Sequence, residues 1–384
     1  MKKSIVACLF VFCLSLFQTL KAQDSSRLRI SLITCTPGDE LYSIFGHSAL
    51  RVIDSNSVSD LVYNYGTFDF YDPDFYIKFM RGKLLYFLSI QKTKEFILDY
   101  QYMRRGLTEQ VLDLTDSEKR FIHDSLLSNI REENKYYPYD FFYDNCTTRL
   151  RDLILAALRR HKSLPAVMPE STTFRNAIHQ YLDSGEQFWS KLGIDLLLGL
   201  PTDKVMTAAE QEFLPNNLMG SLDKENQKIL IADKDILYEA PSSLPSVSIW
   251  QPGFTLTLFS LFWFSITWFL SAKKTGKQIT DRILFFLTGL LGILLFVMWA
   301  FTDHSMTVKN MNLLWAWPLN LIVAFLPSYQ HKLIKKYFFA QCVVLCLLLL
   351  SWFLLPQQLH PALLAPVFLL TFRCYALSRK KTLN

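Results

Sequence analysis

Five apolar segments near the C-terminus constrain the fold of this chain more than any other feature. They cover residues 252–271, 282–301, 313–327, 337–355 and 361–377. Most approach the roughly 20 residues that a membrane-spanning helix needs. The third is shorter and contains Pro318, which predicts a broken or tilted span. The sequence therefore predicts an all-α membrane domain of five helices over residues 246–384.

The charges of the loops between these segments predict the orientation of the domain. Lysine and arginine are concentrated in residues 272–282 and 328–336 and in the C-terminal tail. The two intervening loops, 302–312 and 356–360, contain Lys309 as their only lysine or arginine. Because basic loops remain cytoplasmic, we expect a cytoplasmic C-terminus and a periplasmic N-terminal domain on a multi-pass protein of the bacterial inner membrane.

The N-terminus has the composition of a secretory signal peptide. Two lysines precede an apolar run that ends near Ala22, a small residue suited to cleavage. An uncleaved anchor is the alternative, but the run is short for a span and no lipobox cysteine follows it. We therefore expect a signal peptide at residues 1–22. The formal net charge of +6 falls to +3 without its three lysines, and no basic block indicates nucleic-acid binding.

The exported part, residues 23–245, predicts an α+β domain that ends in a proline-containing linker at residues 241–245. Thr115 begins a capping box that predicts a helix, and a second helix is expected to start near Cys146. A polar turn at residues 54–57 predicts a hairpin. The expected strands are residues 28–35, 48–53, 61–65, 83–90 and 109–114, followed by mixed helix and loop from about residue 165.

Two of the seven cysteines, Cys35 and Cys146, lie in the exported domain. In an oxidising compartment this pair could form a disulfide. The residues around Cys35 do not resemble the environment of a reactive thiol. Cys146 differs, because Asp144 or Asn145 can cap the helix that follows and place the thiol in its first turn. Free N–H groups and the helix dipole there stabilise a thiolate.

A histidine on a strand is the expected partner of this thiol. His47 follows Gly46, a residue that lets another backbone approach closely. An imidazole beside Cys146 would lower the pKa of the thiol further and act as a base. Asn64 in the next strand is placed to orient the imidazole, and Thr67 and Asp69 remain alternatives for that role.

These motifs resemble those of a known family. The order histidine, polar residue, cysteine is that of the circularly permuted papain-like thiol enzymes, which include the lecithin–retinol acyltransferase group. A closer resemblance is to the Lnb family of bacterial lipoprotein N-acyltransferases, which have a periplasmic domain and five C-terminal membrane helices. The motifs that carry it are Phe45-Gly46-His47-Ser48-Ala49-Leu50-Arg51, Tyr63-Asn64-Tyr65-Gly66-Thr67-Phe68, Asp144-Asn145-Cys146-Thr147-Thr148-Arg149 and Thr302-Asp303-His304.

The resemblance implies a permuted papain-like domain that moves an acyl chain from a phospholipid to the α-amine of a diacylglyceryl-cysteine lipoprotein. Cys146 is the expected nucleophile, His47 the base and Asn64 the third catalytic residue. The expected partners are therefore a phospholipid donor, a diacylated lipoprotein acceptor and the membrane. We expect no cofactor and no metal, since the histidines of the exported domain are scattered.

The periplasmic loop at residues 302–312 supplies the predicted substrate-binding residues, Asp303, His304 and Asn312. Ionisable side chains beside a span end often face a cavity or a partner. The alternative is that they rest in the headgroup layer, with Trp315 and Trp317 as part of an aromatic belt.

Two other functions are compatible with these residues. A membrane-anchored thiol peptidase or amidase of the cell envelope would use the same cysteine and histidine, although a wall hydrolase needs only a tether rather than five spans. A non-enzymatic membrane assembly protein would instead join Cys35 to Cys146 in a disulfide. The state of the two thiols distinguishes this last alternative from the enzymes.

Overall fold

The computed structural model describes residues 27–159, 163–225, 230–241, 248–270 and 274–379, without the side chains of residues 225 and 274–278. The predicted signal peptide lies outside these residues, as does the linker beyond Pro241. Within the described ranges, a sheet-containing domain precedes a helical region rich in apolar residues.

Seven strands in the described part of the chain form one antiparallel sheet. They are β1 (Leu28–Cys35), β2 (His47–Asp54), β3 (Ser59–Thr67), β4 (Leu85–Lys92), β5 (Leu107–Leu112), β6 (Tyr136–Pro138) and β7 (Ile231–Tyr238). Their order across the sheet is β6-β4-β3-β2-β1-β5-β7. Cys35 at the end of β1 pairs with His47 at the start of β2. β2 is the central strand of the seven, and the predicted histidine is its first residue. The histidine therefore lies in the middle of the row of strands, at the edge where the strand begins.

The strands predicted from alternation and turn residues are confirmed, and the hairpin forms where Asp54 pairs with Ser59. Two strands were missed, and both lie at the edges. β6 has three residues, one of them Pro138, and is too short to carry a pattern. β7 exposes both faces over residues 232–236, so its side chains do not alternate in polarity.

Eight helices surround the sheet in the described part of the exported domain. They are α1 (Phe75–Met80), α2 (Thr93–Tyr102), α3 (Asp116–Asn129), α4 (Cys146–Ala157), α5 (Phe174–Ser184), α6 (Phe188–Leu197), α7 (Ala208–Gln211) and α8 (Pro215–Glu225). The capping box predicted at Thr115 opens α3. α3 and α4 bury Ile122 and Ile154 against one sheet face, and α2 buries Phe96 against the other. This packing places the start of α4 beside the start of β2, where the hydroxyls of Thr147 and Ser48 lie 3.1 Å apart.

Four helices of the described chain are long and apolar enough to cross a membrane: Pro252–Phe269, Ile279–Phe301, Lys332–Ser351 and Pro361–Ser378. They belong to α9 (Pro252–Phe269), α10 (Lys274–Phe301), α12 (Lys332–Ser351) and α13 (Leu364–Ser378). The third predicted span is not a continuous helix. It consists of a 3₁₀ turn, Met311–Leu314, and the short helix α11 (Leu319–Ala324), on either side of Pro318. The predicted break at Pro318 is present, and the other four predicted spans are the helices long enough to cross a membrane in the described chain.

The broken segment still returns the chain along the length of α10. Arg282, near one end of α10, donates a hydrogen bond to the carbonyl of Leu326 at 2.8 Å. Asn312 bonds the sheet domain beyond the opposite end, through the carbonyl of Asp195 at 3.0 Å. Residues 282–301 rise by about 28 Å in an α-helix. The segment therefore extends about as far as a membrane-spanning helix does, although little of it is regular helix.

A buried ionic cluster supports the contact between the sheet domain and the membrane helices. The guanidinium of Arg175 is fully buried and bonds Asp195 at 2.7 Å and Asp203 at 2.9 Å. These bonds hold the end of α6, whose Leu192 packs among membrane-helix residues. Removing one partner of such a buried pair leaves an uncompensated charge. The exported domain is therefore seated on the membrane helices through ordered contacts.

Candidate active site

Asn145 caps helix α4 and fixes the position of the predicted nucleophile. Its side-chain oxygen accepts hydrogen bonds from the N–H groups of Thr147 and Thr148 at 2.8 and 2.9 Å. Cys146 is thus the first residue of α4, as predicted. Asp144, the other predicted cap, instead forms a bidentate ion pair with Arg149 at 2.7 and 2.8 Å.

Gly46 positions the histidine at the start of β2. Its φ of +81° lies in the left-handed region, and a Cβ there would meet the carbonyl oxygen of Cys35 at 2.7 Å. A side chain at this position would force the two strands apart. The glycine therefore allows the close backbone approach that the sequence predicted, directly before His47.

The structure brings His47 and Asn64 together. Nε2 of His47 lies 3.3 Å from Oδ1 of Asn64, and the side chain of His47 also bonds the thiol of Cys146. The two alternative orienting residues have other partners. The hydroxyl of Thr67 lies 2.7 Å from that of Ser89, and the carboxylate of Asp69 accepts the N–H of Tyr71. Asn64 is therefore the candidate that contacts the imidazole.

The surroundings of Cys146 stabilise its thiolate. Burial is the largest single influence on this thiol and would raise its pKa. The charge and hydrogen bond of His47, the N–H of Ser48 and the hydroxyl of Thr147 all act in the opposite direction. Together they lower the pKa of Cys146 from 9.0 to about 7. About half of such a thiol is ionised at pH 7, against roughly 1% for one of pKa 9.

Cys35 has the opposite character although it lies nearby. It is completely buried, and burial raises the pKa of its thiol to about 12, even though Tyr100 and Arg105 favour the thiolate. Cys35 and Cys146 are both free thiols. The disulfide on which the assembly-protein alternative depended is not formed.

Three contributors to the site were missed from the sequence. The N–H of Ser48 and the hydroxyl of Thr147 reach the sulfur of Cys146, and the two hydroxyls lie 3.1 Å apart. Gly66 has a φ of +87°, and a Cβ there would lie 3.4 Å from Cβ of Cys146. In the sequence, Ser48 immediately follows His47 and Thr147 immediately follows Cys146. Adjacency to the two predicted residues was therefore the available signal. The role of Gly66 depends on a bulge in β3 that no local pattern reveals.

The loop after α10 docks on the segment that precedes Cys146. The hydroxyl of Ser305 donates to the carboxylate of Asp140 at 2.6 Å. The other carboxylate oxygen of Asp140 accepts the N–H groups of Phe142 and Tyr143, within the turn that leads to Cys146. This contact therefore fixes the position of the Cys146 thiol relative to the end of the membrane helix α10.

The three predicted substrate-binding residues have different positions. Asp303 is exposed and His304 is half-buried, and both bind α1 and its C-terminal turn. The N–H of Asp303 donates to the carbonyl of Arg81 at 2.9 Å, and Nε2 of His304 lies 3.1 Å from the carbonyl of Phe79. Asn312 is fully buried, and its side chain bonds Trp315 and backbone carbonyls of α6. It supports the domain contact and is not available to a substrate in this arrangement.

The lowered pKa of Cys146 has a measurable consequence. Its alkylation by iodoacetamide should increase with pH through a midpoint near 7, because only the thiolate reacts. Labelling between about pH 5 and pH 10, followed by mass spectrometry of the Cys146 peptide, gives this profile. Cys35 should remain unlabelled in the folded protein, since it is buried and protonated. A midpoint near 9 for Cys146 would contradict the thiolate assignment.

The fold and site together define a membrane protein whose sheet domain holds a Cys–His–Asn cluster against the loops of its spans. Residues 17–180 match the family description "Lnb N-terminal periplasmic domain", and residues 245–382 match "Lnb transmembrane domain". No curated protein and no solved structure matches the chain. The chain belongs to the Lnb family, and its N-terminal domain is periplasmic.

Proposed function

We propose that this protein is a lipoprotein N-acyltransferase that uses Cys146 as its nucleophile. Membership of the Lnb family suggests a role in lipoprotein biosynthesis. The observation that carries the proposal is the thiol of pKa about 7, bonded by His47 and tied to a membrane helix end through Asp140 and Ser305. An enzyme that acts on a soluble substrate would not require this contact between the site and the end of a membrane helix.

In the first step, the thiolate of Cys146 attacks the carbonyl carbon of a phospholipid ester. A C–S bond forms and the ester C–O bond breaks. The imidazolium of His47 gives its proton to the departing alkoxide, which leaves as the hydroxyl of a lysophospholipid. Asn64 holds Nε2 of His47 and so orients the ring that bonds the sulfur. The product is a thioacyl-enzyme with a neutral imidazole.

In the second step, the α-amine of a diacylglyceryl-cysteine lipoprotein attacks the thioester. His47 takes the proton that the amine loses as the C–N bond forms and the C–S bond breaks. This step restores the thiolate–imidazolium pair and releases a triacylated lipoprotein. Both tetrahedral intermediates carry an oxyanion, for which we propose the N–H of Cys146, because the first turn of a helix offers it no intrahelical acceptor.

The proposed setting is the outer face of the inner membrane. Residues 23–245 form the periplasmic unit, and residues 246–384 form the membrane unit with a cytoplasmic C-terminus, as the basic loops predict. A permuted papain-like arrangement agrees with the order His47, Asn64, Cys146 along the chain. The reaction as written requires no cofactor.

The direct test is mass spectrometry of a diacylated lipoprotein incubated with the purified full-length protein in phospholipid vesicles. We expect the N-terminal peptide to gain the mass of one acyl chain while lysophospholipid accumulates in equal amount. A thioacyl adduct should be trapped on Cys146 when the lipoprotein is omitted. Hydrolysis of a peptide or amide bond in cell-wall peptides, without any acyl adduct, would instead support the peptidase or amidase alternative.

A further inference from the structure

An exposed cluster of aromatic rings lies between the candidate site and the membrane helices. It extends from Phe68 through α1, and we call residues 68–80 the aromatic segment. Tyr71, Tyr76 and Phe70 are 94%, 78% and 63% exposed, and Ile77, Phe79 and Met80 are also exposed. The rings pack mainly on one another: Phe68 and Phe70 have centroids 4.5 Å apart. A contiguous apolar patch of this kind marks an interaction surface.

The position of the aromatic segment relative to the membrane helices indicates that lipid is what it contacts. His304 and the N–H of Asp303 bond the carbonyls of Phe79 and Arg81, immediately after α10 ends at Phe301. Phe301 is itself exposed and lies on a membrane helix. The aromatic segment therefore lies at the level of the lipid headgroups.

The charges of the aromatic segment are compatible with that position. Asp72 is paired with Lys78 at 2.7 Å and also accepts the N–H of Asp74. Asp69 accepts the N–H of Tyr71. The acidic groups are thus partly satisfied within the segment, while the exposed rings of Phe70, Tyr76 and Phe79 contact other rings of the same segment.

A continuous path of rings connects the aromatic segment to the thiol. Phe68 contacts Tyr86 with centroids 5.1 Å apart, and Tyr86 stacks on Tyr139 at 4.1 Å. Tyr139 and Cys146 both border Gly66, where a Cβ would lie 3.7 Å from the ring and 3.4 Å from Cβ of Cys146. An acyl chain lying along these rings would lead from the bilayer surface to the sulfur.

We propose that the aromatic segment inserts into the bilayer interface and guides phospholipid acyl chains along Phe68, Tyr86 and Tyr139 to Cys146. The proposed insertion is supported by the position of the aromatic segment and does not depend on the proposed reaction. The guidance rests on the proposed acyl transfer, and it assigns the lipid-binding surface of that reaction to residues that no sequence motif marks.

Insertion is tested by an environment-sensitive fluorescent amino acid placed at Tyr71 in the full-length protein. Val58 is the matched control, since it is 91% exposed but lies at the opposite end of the sheet, in the β2–β3 turn. In vesicles of phosphatidylethanolamine and phosphatidylglycerol, we expect a blue shift and quenching by doxyl-labelled phospholipid at position 71 alone. A probe at position 71 that remains aqueous, or is shielded but not quenched by the lipid, overturns insertion; the second outcome indicates a protein partner.

Guidance is tested by the combined variant Phe68→Ser, Phe70→Ser and Tyr71→Ser, which removes the first ring of the proposed path together with two exposed rings beside it. Acylation of Cys146 from vesicle phospholipid should fall by about tenfold or more, because three interfacial rings are lost. Acylation from a water-soluble short-chain thioester and alkylation by iodoacetamide should remain at the parent level, which also verifies folding. An unchanged rate from vesicles overturns guidance. Absence of any acyl adduct in the parent protein would refute the proposed function while leaving the fluorescence test of insertion intact.

Discussion

Replacing Cys146 by serine should abolish acyl transfer while the protein still folds and inserts. The hydroxyl of serine does not ionise near pH 7, whereas His47, Ser48 and Thr147 lower the pKa of the native thiol to about 7. We expect a loss on the order of 1,000-fold or more, as when a covalent nucleophile is removed from other enzymes. The measurement is transfer to diacylated lipoprotein in vesicles, with membrane insertion followed by protease protection. Near-normal transfer by Cys146→Ser would exclude the thiol mechanism.

Cys35→Ser is the matched control, because it makes the same chemical change at a nearby free thiol. Cys35 is buried, and burial raises the pKa of its thiol to about 12, so the native group is not ionised. We expect transfer to be retained and the free energy of unfolding to fall by about 1 kcal/mol, since a hydroxyl replaces a thiol in an apolar site. An equal loss of transfer in both variants would show that the effect of Cys146→Ser is structural.

Replacing His47 by alanine should reduce turnover by about 100- to 10,000-fold, the range found when a general acid or base is removed. The same change should raise the midpoint of Cys146 alkylation above pH 7. The charge and hydrogen bond of His47 are the largest influences that lower the pKa of the thiol, and burial alone raises it. Both readouts are needed, because a loss of turnover could also follow from a local distortion of β2.

His123→Ala provides the comparison for this second prediction. His123 lies on α3, which packs on the sheet, and its ring lies near Asp124. The alanine variant should keep both the turnover and the alkylation midpoint of the parent. An unaltered midpoint and rate in His47→Ala would place the histidine outside the site.

Local signals in the sequence were sufficient for the elements that carry the site. Alternation located β1, β2 and β3, and the cap at Asn145 located the start of α4. Each signal depends on residues within a few positions of one another, and each element forms where it was predicted. The meeting of His47 with Asn64 was also anticipated, because a hairpin constrains which residues of its two strands can be neighbours.

The surroundings of the site depended on contacts between residues far apart in the chain. Ser305 reaches Asp140 across 165 positions, and Asn312 is buried by contacts with α6 rather than exposed to a substrate. The aromatic segment has no alternation or helical period long enough to reveal its exposure. None of these features could be read from neighbouring residues, because which surfaces meet is decided by how the two domains pack.

The sequence by itself determined the membrane helices, the strands at the centre of the sheet and the position of a cysteine at a helix start, since hydrophobic periodicity and capping are local. Tertiary structure alone decided the free state of both exported thiols and the docking of the loop after α10 near Cys146. The physical reason is that burial, pKa and distance from the bilayer depend on neighbours that the fold brings together. The reactivity of Cys146 depends on both, because the local cap at Asn145 places it at a helix start and the fold brings His47 beside it.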